Sequence, residues 1–163
     1  MKLLIPVDGS DVALRAVAHA LHLAHRGLAT QLVLVNVQEP ATVYEWVTLH
    51  DAEALADLVE AAGQDLLAPA VALVQAAGVP HETLVLSGDV APMLLEALEA
   101  EACEAVIMGS HGRGLVRSAW LGSVSQAMLE RAPVPVTFVK PSEPDEEDDT
   151  MDEAGCAEGG ADV

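Results

Sequence analysis

Residues 105–140 read "AVIMGSHGRGLVRSAWLGSVSQAMLERAPVPVTFVK", and the order of textures along this stretch decides the fold. A short apolar run, 105–108, passes into residues 109–123, where four glycines stand among small polar residues and two arginines. Ser123–Arg131 then has helical spacing, and a second apolar run follows at 134–139. Apolar runs this short, without strict alternation, are the pattern of strands covered on both faces. Strand, glycine loop, helix and strand together make one βαβ unit with a right-handed crossover.

The same texture repeats towards the N-terminus in "KLLIPV" (2–7), "QLVLVNV" (31–37) and "ETLVL" (82–86). Between these runs lie alanine-rich stretches with helical spacing. Asp11–Arg26 puts Leu14, Val17, Leu21 and Ala24 on one side, with Ser10 placed to cap its start and Gly27 its end. Asp51–Ala77 is a longer helical region that Gly63 and Pro69 are expected to kink or divide. Asp89–Ala100 completes the set. Strictly alternating elements predict an α/β fold: an open five-stranded parallel sheet, expected in the order 3-2-1-4-5, with helices on both faces. In such a sheet, ligands bind beyond the carboxyl ends of the strands, where the order reverses. The loops that matter are therefore 7–10, 37–40 and 109–123.

Gly109 and Gly112 bracket a turn after the fourth strand, and Gly122 with Ser123 opens the last helix. Glycine permits positive φ and close approach, so successive N–H groups can face one concavity. The start of a helix adds a second anion site, favoured by its dipole. Two such sites suit a chain of phosphates, with the Ser123 hydroxyl available to a phosphate oxygen or a metal ion. The loop is not a Walker A motif, because residues 109–131 contain no lysine. Nor is it the dinucleotide pattern, whose glycines follow the first strand. The competing reading is an ordinary glycine-rich connection.

Stretch 105–140, taken with "LIPVDGS" at 4–10, resembles the universal stress protein family, UspA-like, in its ATP-binding branch. The resemblance spans about residues 1–140 and omits the C-terminal tail. It implies the adenine nucleotide alpha hydrolase-like form of the fold and a set of contacts. Asp8 would face the adenine or ribose, with Pro6 and Val7 shaping the exit of the first strand. Val37 would offer backbone hydrogen bonds to the adenine edge, and Met108 would lie under the nucleoside. Gly109, His111, Gly112, Arg113, Gly122, Ser123 and Val124 would surround the ribose and phosphates. The implied ligand is ATP, or else ADP or AMP, with Mg²⁺ or Mn²⁺ bridging the phosphates. The resemblance also implies a homodimer through strand 134–139, in two-fold symmetry. Three positions depart from the usual pattern: Glu104–Ala105 where an Asp-apolar pair is common, Asn36 for a frequent histidine, and Trp120 for an aliphatic residue.

Charge excludes some classes of partner. The 163 residues carry 26 acidic and 7 basic side chains, a net of −19. Ten of the acidic groups and none of the basic ones lie in 142–163, which leaves 16 against 7 for residues 1–141, a net of −9. A tail of that composition is expected to stay disordered and solvated, as a solubility feature or a dock for a basic partner. The molecule is not expected to bind nucleic acid, which needs a basic face. ATP carries about four negative charges, so local dipoles, Arg113 and Arg117 must overcome the overall field.

No apolar run reaches the ~18–20 residues of a membrane span, and Pro6 and Asp8 interrupt any signal-peptide core. The expected location is cytoplasmic. Cys103 reads as a small core residue and Cys156 as a thiol on the tail. His19 and His22 share a helix face with Arg15 and Arg26, which opposes a metal there. Ser110 and His111 are adjacent, an awkward geometry for a nucleophile and its base, and no nucleophile elbow occurs. Pro135 suits an edge strand open to a second copy. The expected function is a dimeric nucleotide-sensing or regulatory module of a stress response, with an unidentified protein partner. A protein-binding scaffold and a slow ATPase are the alternatives.

Overall fold

The computed structural model describes residues 1–39, 52–112 and 121–141. Arg113, Arg117, Trp120 and the acidic tail with Cys156 lie outside the described residues. The chain runs β1 (Lys2–Pro6), α1 (Asp11–His25), β2 (Gln31–Gln38), α2 (Ala52–Ala76), β3 (His81–Ser87), α3 (Val90–Ala100), β4 (Ala105–Gly109), α4 (Ser123–Arg131) and β5 (Val136–Val139). All strand pairs are parallel, and the sheet order is β3-β2-β1-β4-β5. The expected fold is therefore the observed one.

Side-chain alternation along the central strands divides the core in two. Leu3, Ile5, Leu32 and Leu34 face α1 and α2, packing with Val17, Leu67 and Val74. Leu4, Val33, Val35, Val106 and Met108 face α3 and α4, packing with Leu94, Leu98 and Met128. Burial on both faces holds for β1, β2 and β4. At the edges, β3 and β5 keep exposed positions, a correction to the reading of every run as doubly covered.

Capping fixes α1 as its sequence predicts. Ser10 Oγ accepts from Ala13 N at 3.2 Å. At the other end Gly27, φ +76°, donates to Ala24 O at 2.9 Å, while Leu28 donates to Leu23 O at 3.0 Å. These two bonds form a Schellman motif, which needs the left-handed residue that glycine provides. The buried face differs from the expected one: Ala13, Ala16, Ala20, Val17 and Leu21 are buried, while Leu14 and Ala24 are only partly so.

Two expectations are corrected in part. Helix α2 is one helix through both Gly63 and Pro69, so neither residue divides it. Pro69 removes one helical bond, but Leu67, Ala70 and Val74 are buried on both sides of it, so packing holds the helix together. A Cβ at Gly63 would collide with Val85 Cγ1 and lie 2.9 Å from Cγ2, so this glycine marks a close approach of α2 to β3. The last strand is also shorter than 134–139. Pro135 precedes it, and its carbonyl accepts from Val106 N at 2.9 Å.

The amino-terminal end of the sheet is held by charge. Lys2 Nζ lies 2.7 Å from Glu101 and 3.3 Å from Glu82. The hydrogen bond to Glu101 raises the Lys2 ammonium above its ordinary value and lowers the Glu101 carboxyl below its own. Nearby Cys103 is buried, and desolvation pushes its thiol up to about 11.

Candidate functional site

At the opposite end of the sheet, β1 and its neighbours part. Pairing of β1 with β4 extends only through Leu3–Ala105 and Leu4–Val106, and pairing with β2 ends at Pro6–Val35. Lys2, Leu4 and Pro6 turn their backbone towards β4, as the bond from Glu104 N to Lys2 O shows. The missing N–H of Pro6 thus faces β4 where that ladder stops, so the proline offers no donor to carry it further.

A cleft of about 370 Å³ opens at this divergence. That volume is within the range of small-molecule sites. Pro6, Val7, Asp8, Val37, Met108, Gly109, His111, Gly112, Gly122, Ser123 and Val124 all line it. Every sequence-derived candidate except Arg113 is therefore in one place, and Arg113 lies outside the described residues.

Asp8 is fixed by local geometry. Its Oδ1 accepts from Ser10 N at 3.0 Å and from Ser10 Oγ at 2.6 Å. Gly9, φ +78°, makes the turn that allows this. The other carboxylate oxygen faces Gly112, where a Cβ would come within 2.7 Å of it. Gly109 is equally tight: a Cβ there would lie 2.9 Å from Val12 Cγ1 and 3.1 Å from His111 O.

The glycine loop departs from expectation at three points. First, none of Gly109, Gly112 and Gly122 has a positive φ; the first two provide close approach instead. Second, the Gly122 amide donates to Ser110 O at 2.9 Å, so it is already used within the chain. The anion-binding capacity shifts one residue onward. Gln126 N bonds Gly122 O at 2.9 Å and closes the first turn of α4, which leaves the N–H groups of Ser123, Val124 and Ser125 without helical acceptors. Gly122 has no side chain to cap them. Third, Ser110 and His111 do pair, with Oγ 3.0 Å from Nδ1. Ser110 is buried, however, and its backbone ties β4 to β5 through a 2.8 Å bond to Val139 O. Its main chain thus acts as a strut between the two strands.

The sequence reading missed several walls of the cleft: Ala13, Val35, Asn36, Glu39, Val90, Leu94 and Ser125. Val35 was legible, since it shares a strand face with Val37 two residues on. Val90 and Leu94 are spaced i, i+4 on the first turns of α3, but only the sheet order brings that helix to the cleft. Ser125 sits in the first turn of α4 and its hydroxyl donates to Gly109 O at 3.1 Å.

The comparisons agree with this architecture. A family model described as the universal stress protein family matches residues 1–140. The chain belongs to the universal stress protein family. A universal stress protein of Thermus aquaticus is 38% identical over 141 residues, covering 85% of this chain and 97% of that one. Among solved structures, the universal stress protein UspA of Lactobacillus plantarum superposes with a TM-score of 0.72 at 20% identity, covering 85% of this chain and 97% of its own. A universal stress protein family member of Arabidopsis thaliana, solved with AMP bound, gives a TM-score of 0.62 at 20% identity, covering 90% and 97%. Both structures share the universal stress protein fold with this chain.

Proposed function

We propose that this universal stress protein binds an adenine nucleotide in the cleft between β1 and its neighbours, as a member of the ATP-binding branch. The observation that carries the reading is the start of α4. Three residues whose N–H groups have no helical acceptors, at a helix end with no side-chain cap, line the same cleft as the Asp8 turn and the end of β2. An uncapped helix start of this kind favours phosphate oxygens. The AMP bound to the Arabidopsis relative supports the same ligand class.

In this reading, Val37 meets the adenine edge with its backbone. Met108 and Val35 pack against the nucleoside, and Asp8 takes the ribose or the base. Gly109, His111 and Gly112, with Arg113, close around the ribose and phosphates. Among the described residues no three His, Cys, Asp or Glu side chains gather to hold a metal, so Mg²⁺ or Mn²⁺ would arrive on the phosphates. ATP, ADP and AMP all present the same base and α-phosphate to these groups.

The functional unit is residues 1–141, with 142–163 as a solvated acidic tail. We assign the protein to the cytoplasm and to a regulatory role in a stress response, exerted on a protein partner and gated by nucleotide. The edge position of β5 supports a homodimer formed by pairing that strand across a two-fold axis. No helix among the described residues is long and apolar enough to cross a membrane.

The test is direct. Protein purified without added nucleotide is denatured, and the supernatant is assayed for adenine absorbance; the emptied protein is then titrated with AMP, ADP and ATP, with and without Mg²⁺. Saturable binding supports the reading. A preparation that is free of nucleotide and ignores all three ligands overturns it in favour of a scaffold, and hydrolysis above background would make the protein an ATPase.

A further inference from the structure

We propose that Asn36 is a positioning residue that keeps the Val37 amide open for the ligand's base, by occupying the acceptor to which that amide would otherwise bond. The β1–β2 ladder breaks off at this point. Val7 N donates to Val35 O at 2.8 Å. In a parallel ladder the next bond would run from Val37 N to Val7 O. No such bond forms among the described residues. Instead, Asn36 Nδ2 donates to Val7 O at 2.7 Å.

Two further observations fix this arrangement. Asn36 is 98% buried, with a relative exposure of 2%, at the rim of the cleft. A buried carbonyl and a buried amide both require partners, so the bond to Val7 O is one the chain keeps. Gln38 Nε2 donates to Asn36 Oδ1 at 2.6 Å, which holds the amide with its donor towards Val7. A side chain thus takes over a main-chain bond at the point where the sheet must stop.

The consequence lies at Val37. Backbone groups alternate sides along a strand, so Val37 N–H and C=O point the same way as those of Val35, towards the space β1 has vacated. The N–H donor and C=O acceptor of one residue, side by side on one edge, match a ring nitrogen beside an exocyclic amino group, the pattern of adenine. Guanine presents the reverse on its Watson–Crick edge. This selectivity rests on the nucleotide reading above, whereas the freeing of the amide does not.

The experiment therefore has two arms. Amide hydrogen exchange is followed by NMR on nucleotide-free wild type, Asn36→Leu and Asn36→Asp. Neither variant donates to Val7 O, and the aspartate keeps the shape should the leucine fail to fold. Binding of AMP and GMP is measured on the same proteins and on Asn36→His, whose ring N–H restores a donor. Val37 should exchange quickly in wild type and about tenfold more slowly in the variants, as the ladder extends. AMP affinity should fall about tenfold, the preference over GMP should shrink, and histidine should recover both. Equal protection of Val37 in wild type and variants overturns the role of Asn36, whatever binds. Changed exchange with unchanged AMP affinity overturns the link to base reading. Wild type that binds no AMP overturns the nucleotide reading, while the exchange arm still judges Asn36.

Discussion

Gly112 lies against the Asp8 carboxylate so closely that a methyl group on it would come within 2.7 Å of Oδ2. Gly122, only ten residues on, meets nothing closer than the His111 Cα at 3.6 Å when a Cβ is added, and its φ of −70° suits any residue. The two glycines of one motif are therefore under different constraints. Gly112 serves the fold of the loop on Asp8, whereas the chain itself does not demand a glycine at 122.

Substitution separates them. Gly112→Ala should lower stability by about 1–3 kcal/mol, the range for overpacking a tight contact, when measured by urea denaturation. Gly122→Ala should stay within about 1 kcal/mol of wild type, the scale of a changed N-cap. It should nevertheless weaken AMP binding, because the methyl group stands beside the free amides of α4. Equal loss of stability in both variants would contradict the assignment.

Gly63 offers a prediction opposite in sign to helix propensity. In an isolated helix, Gly→Ala gains up to about 1 kcal/mol. Here the new Cβ would run into Val85, and β3 cannot retreat without breaking its ladder to β2. Gly63→Ala should therefore destabilise, by about 1–3 kcal/mol in chemical denaturation. A stabilised variant would show that α2 and β3 sit further apart.

These glycines show what the sequence disclosed and what it withheld. The alternation of elements, and with it a parallel sheet with loops 7–10 and 109–123 at one end, was legible from connection rules; the strand order 3-2-1-4-5 was an expectation that those rules do not fix, and the sheet bears it out. Eleven site candidates converge on the cleft for the same reason. Continuity of α2 through Pro69 was not legible: local propensity says break, and the buried contacts of Leu67 and Val74 decide otherwise. The bond from Gly122 N to Ser110 O and the one from Asn36 to Val7 O join residues 12 and 29 apart. No motif spacing encodes such pairs.

The Lys2–Glu101 pair gives a pH dependence with a definite sign. The Glu101 carboxyl is lowered in the fold, so its contribution is complete above the ordinary value of 4.5 and fades as pH falls through the folded value. The Lys2 ammonium is raised, so its share is complete below 10.5 and is lost as pH rises through the folded value. The stability difference between wild type and Lys2→Met should be flat between those limits and shrink beyond either. A difference that grows in acid would refute the pairing.

Cys103 should report unfolding. Burial pushes its thiol up to about 11, so at pH 8 almost none of it is thiolate. Iodoacetamide at that pH should modify Cys103 only in denaturant, as mass spectrometry of the digested chain would show. Rapid labelling of Cys103 in the native protein would contradict its place under the sheet.

An adenine nucleotide lying between the end of β2 and the start of α4 would be seen in a titration of ¹⁵N-labelled protein with AMP. The Val37 amide and the Ser123, Val124 and Ser125 amides should all shift saturably, following one dissociation constant. Absence of shifts at both places, or saturable shifts confined to the amino-terminal end of the strands, would contradict it.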